Sequence, residues 1–131
     1  MSLISQRETS INLVSTYTIT AVRSMAAFDR WFASNLLHSN IVIRRIQAEN
    51  SSGRNSEGAG TIEIDPEIAA KGLSGRIQNH DADYVYFYLT YQNVNITASI
   101  HITDWSITLV GKKRFSSQLQ DLATLLKLNE N

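Results

Sequence analysis

A chain of 131 residues with 43% hydrophobic side chains can bury one core and is too short for two, so one domain is expected over 1–131. Twelve Lys and Arg balance twelve Asp and Glu, which removes the strong overall field that draws proteins to nucleic acid or to anionic membranes and leaves only a local patch as a route to either. The absence of cysteine excludes disulfides, thiolate nucleophiles and cysteine-ligated zinc.

The N-terminal MSLISQRETS has no apolar signal-like core and reads as a flexible tail over 1–10. No run approaches the ~18 apolar residues of a membrane span, so a small soluble, cytoplasmic protein with no membrane contact is expected. In INLVSTYTIT, the residues Ile11, Leu13, Tyr17 and Ile19 fall at even spacing with Asn12, Thr16, Thr18 and Thr20 opposite, the pattern of a strand. SMAAFDRWFASNLLH places Met25, Phe28, Phe32 and Leu36 three or four apart, which predicts a helix over 25–37 with Ser24 as its N-cap. His38 then falls at the C-terminal end, where a cation is favoured by exposed carbonyls. NIVIRRIQ is β-branched and reads as a strand, with Arg44 and Arg45 pointing to opposite faces.

ENSSGRNSEGAG, residues 49–60, has no periodicity and concentrates Ser, Gly and Asn. Residues 50–60 are expected to be the most mobile internal segment, cut first by protease near Arg54. The glycines lack the Gly-Lys-Ser/Thr ending of a phosphate-binding loop. After a short strand, TIEI, Asp65 can cap a short helix with Pro66 at its first position and Gly72 closing it. YVYFYLTY (84–91), NITASIHIT (95–103) and WSITLV (105–110) are separated by very short connections and predict an antiparallel meander. FSSQLQDLATLLKL repeats Phe115, Leu119, Leu122 and Leu126 at helical spacing, with Ser116 or Ser117 as cap. The expected fold class is α+β: an antiparallel sheet of about five or six strands ending in a three-stranded meander, one helix in the N-terminal half, one short helix and a C-terminal amphipathic helix.

Two candidate binding regions follow from this pattern. Strand alternation gathers Tyr86, Tyr88, Thr97, Ser99 and His101 on one face of the meander, with Tyr84 and Thr103 beside them. Such a face can hydrogen-bond and stack a ligand, but Thr and Tyr are also good strand formers on any solvated face. Lys112, Lys113 and Arg114 stand before the last helix, where they form either a modest anion site or ordinary loop charges. The last helix carries Leu125 and Leu128 beyond its main stripe, so Leu122, Leu125 and Leu128 are the expected interface of a homodimer, an edge strand being the alternative. His80, Asp81 and Asp83 form HDAD, which reads as an Asp-rich turn rather than a metal site. Only Asp104 lies near His101, and no acid, base and nucleophile cluster appears, so no catalytic residue, metal or cofactor is assigned and the balance is against an enzyme.

Over residues 11–111, the order of elements and the segment NITASIHITDWSITLVG resemble the N-terminal subdomain of the ribosome-inactivating proteins. Ile96-Thr97, Ile100, Ile102-Thr103 and Asp104 carry the match. His101 stands where that family has an aspartate, and Ser106 where it has a substrate-stacking tyrosine. The family's glutamate, arginine and second tyrosine lie beyond the length of this chain, so the resemblance implies the fold without depurination of RNA. SITLVGKKRFSSQLQDL is similar to the end of the small RNA-silencing suppressors of tombusviruses, which implies a dimeric sheet clasping duplex RNA through Ser, Thr and basic side chains. The function expected is a non-catalytic binding domain acting through its sheet face or its C-terminal helix on a protein partner or a second copy of itself. The alternative is an RNA-directed protein, either a duplex binder or a toxin-like fold lacking its catalytic half.

Overall fold

The structure, a computed structural model, describes residues 3–53 and 58–128. Its strands are β1 (Leu3–Glu8), β2 (Asn12–Thr18), β3 (Ile41–Asn50), β4 (Gly60–Ile64), β5 (Tyr84–Tyr91), β6 (Val94–His101) and β7 (Ser106–Lys112). The helices are α1 (Met25–Trp31), α2 (Pro66–Ala69), α3 (Ser74–Asn79) and α4 (Ser116–Leu125). All seven strands join one antiparallel sheet in the order β1-β2-β7-β6-β5-β3-β4, so the class is α+β with more strands than the five or six expected.

The additional strand is β1, which corrects the reading of residues 1–10 as a flexible tail. Its side chains are almost all exposed because it lies at the sheet edge, so LISQRE shows no buried-face alternation to betray a strand. Pairing with β2 runs from Leu3 opposite Tyr17 to Glu8 opposite Leu13, with Ile4 bulged out between Leu3 and Ser5.

One sheet face is apolar. Phe87, Leu89, Ile96, Ile100, Ile107 and Leu109 are its buried side chains, and burying each stabilises the fold by about 1.5–3 kcal/mol. Over that face lies α1, capped by Ser24, whose hydroxyl accepts the Ala27 N–H. The helix expected over 25–37 is a composite, because a wide π-helical turn at Phe32–Leu36 follows α1 and closes with the Leu37 N–H on the Phe32 carbonyl. Phe32 stacks on Phe87 at 5.5 Å between centroids, and Phe28 lies 5.3 Å from Trp105. The His38 ring turns to the following backbone rather than to the last carbonyls of the helix. Its Nδ1 accepts the Asn40 N–H at 3.0 Å and shapes the turn into β3.

In β3 the apolar phase moves from Ile41 and Ile43 to Ile46 and Ala48, and the register shifts between Ile43 and Arg45. Arg44 is the extra residue of this bulge, so the two arginines are not simply on opposite faces of a regular strand. Ile11, expected on the core side of β2, is 62% exposed in the turn before that strand. Asp65 accepts the Glu67 N–H and begins α2 with Pro66, as expected. A second short helix, α3, was not apparent in the sequence; its first amides, at Leu73 and Ser74, donate to the Asp29 carboxylate on α1, a cap supplied from far along the chain.

The end of the 50–60 segment next to β3 is tied to the rest of the chain by hydrogen bonds. Asn50 is buried, its Oδ1 accepts from the Ser52 N–H, the Ser52 hydroxyl and the Gly53 N–H, and its Nδ2 donates to the His80 carbonyl. Arg54, where first cleavage was expected, falls in 54–57, outside the described residues. Replacing Asn50 by Ala strands buried polar groups and is expected to cost about 1–3 kcal/mol in a denaturant titration. Unchanged stability would show that the segment draws nothing from this side chain.

α4 packs on β7, where Gly111 lets Leu119 come so close that an added Cβ would lie 3.0 Å from the leucine Cδ2. A 3-10 turn, Lys113–Phe115, leads into the helix, and no serine caps it; Phe115 occupies the cap position without a side-chain hydrogen bond. The indole N–H of Trp31 donates to the Leu126 carbonyl at 3.2 Å, which pins the end of α4 to α1.

Candidate functional site

On the opposite sheet face, register places the side chains in cross-strand rows, polar except for Val14 and Val110 in the rows below. One row runs Thr16, Thr108, Ser99, Tyr86, Gln47, Glu63 from β2 to β4. The next on one side runs Thr18, Ser106, His101, Tyr84, Glu49, Thr61, and on the other Val14, Val110, Thr97, Tyr88, Arg45. Most of these side chains are half-buried by one another, and the face is graded: hydroxyls on β2, β7 and β6, a tyrosine stripe on β5, and charged or amide groups on β3 and β4.

Each tyrosine is oriented by a neighbour. Tyr86 donates its hydroxyl to Glu49 Oε1 at 3.1 Å, and Tyr88 donates to Gln47 Oε1 at 2.9 Å. Tyr84 stacks on His101 with centroids 4.7 Å apart and on Tyr86 at 6.0 Å. The Arg45 guanidinium lies 5.6 Å from the Tyr88 ring and pairs with Glu63, which also accepts from Gln47 at 2.9 Å. Hydrogen bonds from Arg45 and Gln47 hold the Glu63 carboxyl below the usual carboxylate range. Thr16 and Thr108 share a hydrogen bond of 2.9 Å.

Burial first, and then the Glu49 carboxylate, push the Tyr86 phenol up to about 12 from 10.0. Because the folded-state value lies above the unfolded one, this group's stabilisation is full below pH 10.0 and is lost as pH rises toward about 12. In an ultraviolet phenolate titration, Tyr86→Phe is expected to remove one phenol from the top of the curve. Superimposable curves would contradict that placement.

The structure therefore brings together Tyr86, Tyr88, Thr97, Ser99 and His101, as the alternation implied, but Thr103 falls in the exposed β6–β7 turn. Lys112 ends β7 on the same face, opposite Asn12 and roughly 20 Å along the strand from Ser106. Lys113 and Arg114 lie beyond it in the 3-10 turn, away from the tyrosines in sequence and along the strand. Gln47, Glu49 and Glu63 were not anticipated on this face, because only the β3–β5 register brings them there; the phase shift in IVIRRIQA was the available signal.

The one imidazole on this face, His101, has a carboxylate beside it but no hydroxyl bonded to it. Asp104 binds His101 Nδ1 at 3.1 Å, but the Ser106 hydroxyl donates to Asp104 at 2.8 Å rather than to the imidazole, so nothing activates it. Burial raises the Asp104 pKa, yet the bonds from Ser106 and His101 outweigh it and hold the carboxyl below its ordinary value. The HDAD segment is a clamp: Asp83 accepts from the Ser51 N–H and hydroxyl, and buried His80 meets the Gly60 carbonyl at 3.0 Å. Among the described residues no group of three or more His, Asp or Glu side chains is placed to hold a metal ion, and no helix is long and apolar enough to cross a membrane.

The expected interface on the last helix is corrected. Leu122 and Leu128 are 0% exposed, packed with Leu119, Ala123 and Leu126 in the chain's own core, and Leu125 is half-buried. α4 lies on β7 and its end is tied to α1 by Trp31, so these leucines are covered within the chain.

Fold and face together define an α+β protein with helices on one side of a seven-stranded sheet and a tyrosine- and hydroxyl-rich surface on the other. Searches of protein-family models, curated proteins and solved structures find no match to this chain.

Proposed function

We propose that the protein is a non-catalytic binding domain that engages a protein partner through the open face of its sheet. The observation that carries this reading is the tyrosine stripe of β5, held upright by Glu49, Gln47 and His101 on a face that no element among the described residues covers. Six inter-strand spacings of ~4.8 Å and strands of seven or eight residues make the face roughly 700 Å², one partner's share of a standard interface. Tyrosine gives such surfaces large contact area at low cost in side-chain freedom. The Glu49 carboxylate beside Tyr86 repels a phosphate backbone, which favours a polypeptide over RNA. The RNA-directed alternative draws on the Ser and Thr side chains of the face and on Lys112, Lys113 and Arg114.

The test is quantitative affinity capture from lysate with wild-type chain, a face variant (Tyr86→Arg with Ser99→Arg) and a control altered on the exposed side of α1 (Arg30→Glu). A protein retained by wild type and control but lost by the folded face variant is the expected result. Equal capture by all three, or a duplex-RNA gel shift unaffected by ribonuclease-free lysate protein and abolished by changing Lys112 and Arg114, would overturn it. Light scattering of the purified chain distinguishes a second copy from a foreign partner.

A further inference from the structure

Where the β1–β2 turn meets the β7–α4 junction there is a hollow of about 340 Å³ lined by Ser10, Ile11, Lys112, Lys113 and Arg114. We infer that it is a binding site for a phosphate monoester carrying a small apolar group, independent of the partner proposed for the sheet face. Three of its five lining side chains are cationic and none is acidic. Among the described residues no carboxylate pairs with Lys112, Lys113 or Arg114.

The walls are fixed rather than loose. The turn is closed by the Thr9 N–H on the Asn12 carbonyl and by the Asn12 N–H on the Thr9 hydroxyl, both at 2.9 Å. The Lys113 N–H donates to the Ile11 carbonyl at 2.9 Å and its Nζ to the Thr9 carbonyl at 3.3 Å, so the two walls are tied at their base. Register holds Lys112 opposite Asn12. The Arg114 guanidinium rests 4.8 Å from the centre of the Phe115 ring, which occupies one planar face and leaves its in-plane N–H groups for a ligand.

The chemistry of the occupant follows from these groups. Paired cations with a planar guanidinium fork suit a doubly charged phosphate, which accepts several charge-assisted hydrogen bonds at once. Ser10 adds a hydroxyl. The exposed Ile11 and the lysine stems add an apolar wall that inorganic phosphate cannot use, and the hollow is at the small end of ligand sites, large enough for an ester and too small for a chain.

The test is amide-resolved NMR titration of the full chain with phenyl phosphate, with inorganic phosphate, and with phosphatidylcholine vesicles with and without phosphatidic acid. Saturable shifts confined to residues 9–12 and 112–115, tighter for phenyl phosphate than for inorganic phosphate, are expected. Lys112→Ala with Arg114→Ala should weaken phenyl phosphate by about tenfold or more. Arg114→Lys should recover part of this, and Ile11→Ser should abolish the preference over inorganic phosphate. Binding only to phosphatidic acid vesicles, with the same dependence on Lys112 and Arg114, would keep the phosphate-monoester chemistry and assign its source to a lipid. Non-saturating shifts, shifts elsewhere, or affinities unchanged in the double variant would overturn the site.

Discussion

Phe87→Ala should lose about 3–5 kcal/mol of stability, the largest effect expected of any single truncation in the sheet. Phe87 is 0% exposed at the middle of β5, pairs with Ala98 across β6 and with Ile46 across β3, and stacks under Phe32. Ala98 is too small and Ile46, branched at Cβ, too stiff at χ1 to swing in and fill the space, so the cavity term adds to the lost transfer energy. Denaturant unfolding measures the effect, and a loss below about 1 kcal/mol would mean that the two layers are not packed through this ring.

The second large effect concerns the last helix. Leu122→Ala and Leu128→Ala should each cost about 2–5 kcal/mol while leaving the oligomeric state unchanged, because both leucines are wholly inside their own chain. Had these leucines formed a dimer interface, the same substitutions would dissociate an oligomer at little cost to the monomer. Unfolding measurements paired with light scattering on each variant separate the two outcomes.

Most of the fold was legible because local pattern and tertiary role agree. The alternation in 84–91 and 95–101 named the two faces correctly, and Ser24, Asp65 and Pro66 began helices where their chemistry predicts. The β5–β6 turn is built from Gln92 and Asn93, both left-handed, the two-residue geometry whose twist suits a hairpin. What was not legible depends on neighbours distant in sequence. β1 gains its strand conformation from β2 and carries no apolar rhythm of its own. α3 is too short for periodicity and takes its cap from Asp29. Trp105 reads as a strand residue in the sequence but occupies a left-handed turn at φ 56°, a conformation disfavoured for a bulky side chain and held by its ring against Phe28.

The candidate face divides in the same way. Its tyrosine and hydroxyl half lies within one meander, where short connections leave little freedom of register, and so Tyr86, Tyr88, Thr97, Ser99 and His101 could be placed together from sequence. Its charged half needed β3 to pair with β5 across a bulge at Arg44, and a shift of one residue there would have sent Gln47 and Glu49 into the core. The leucines of α4 were misjudged for a related reason. A helix stripe shows how much apolar surface must be covered, not which distant parts of the chain, here β7 and Trp31, return to cover it.

Hydroxyl-radical footprinting of the chain, free and bound to the protein captured by it, tests the central claim most directly, since the oxidised side chains are those at issue. Tyr84, Tyr86, Tyr88 and His101 are expected to lose reactivity in the complex while Phe115 and Leu125, at the two ends of α4, keep theirs. Protection of Leu125 and Phe115 with the tyrosines unchanged would contradict it and place the working surface on the helical side of the sheet.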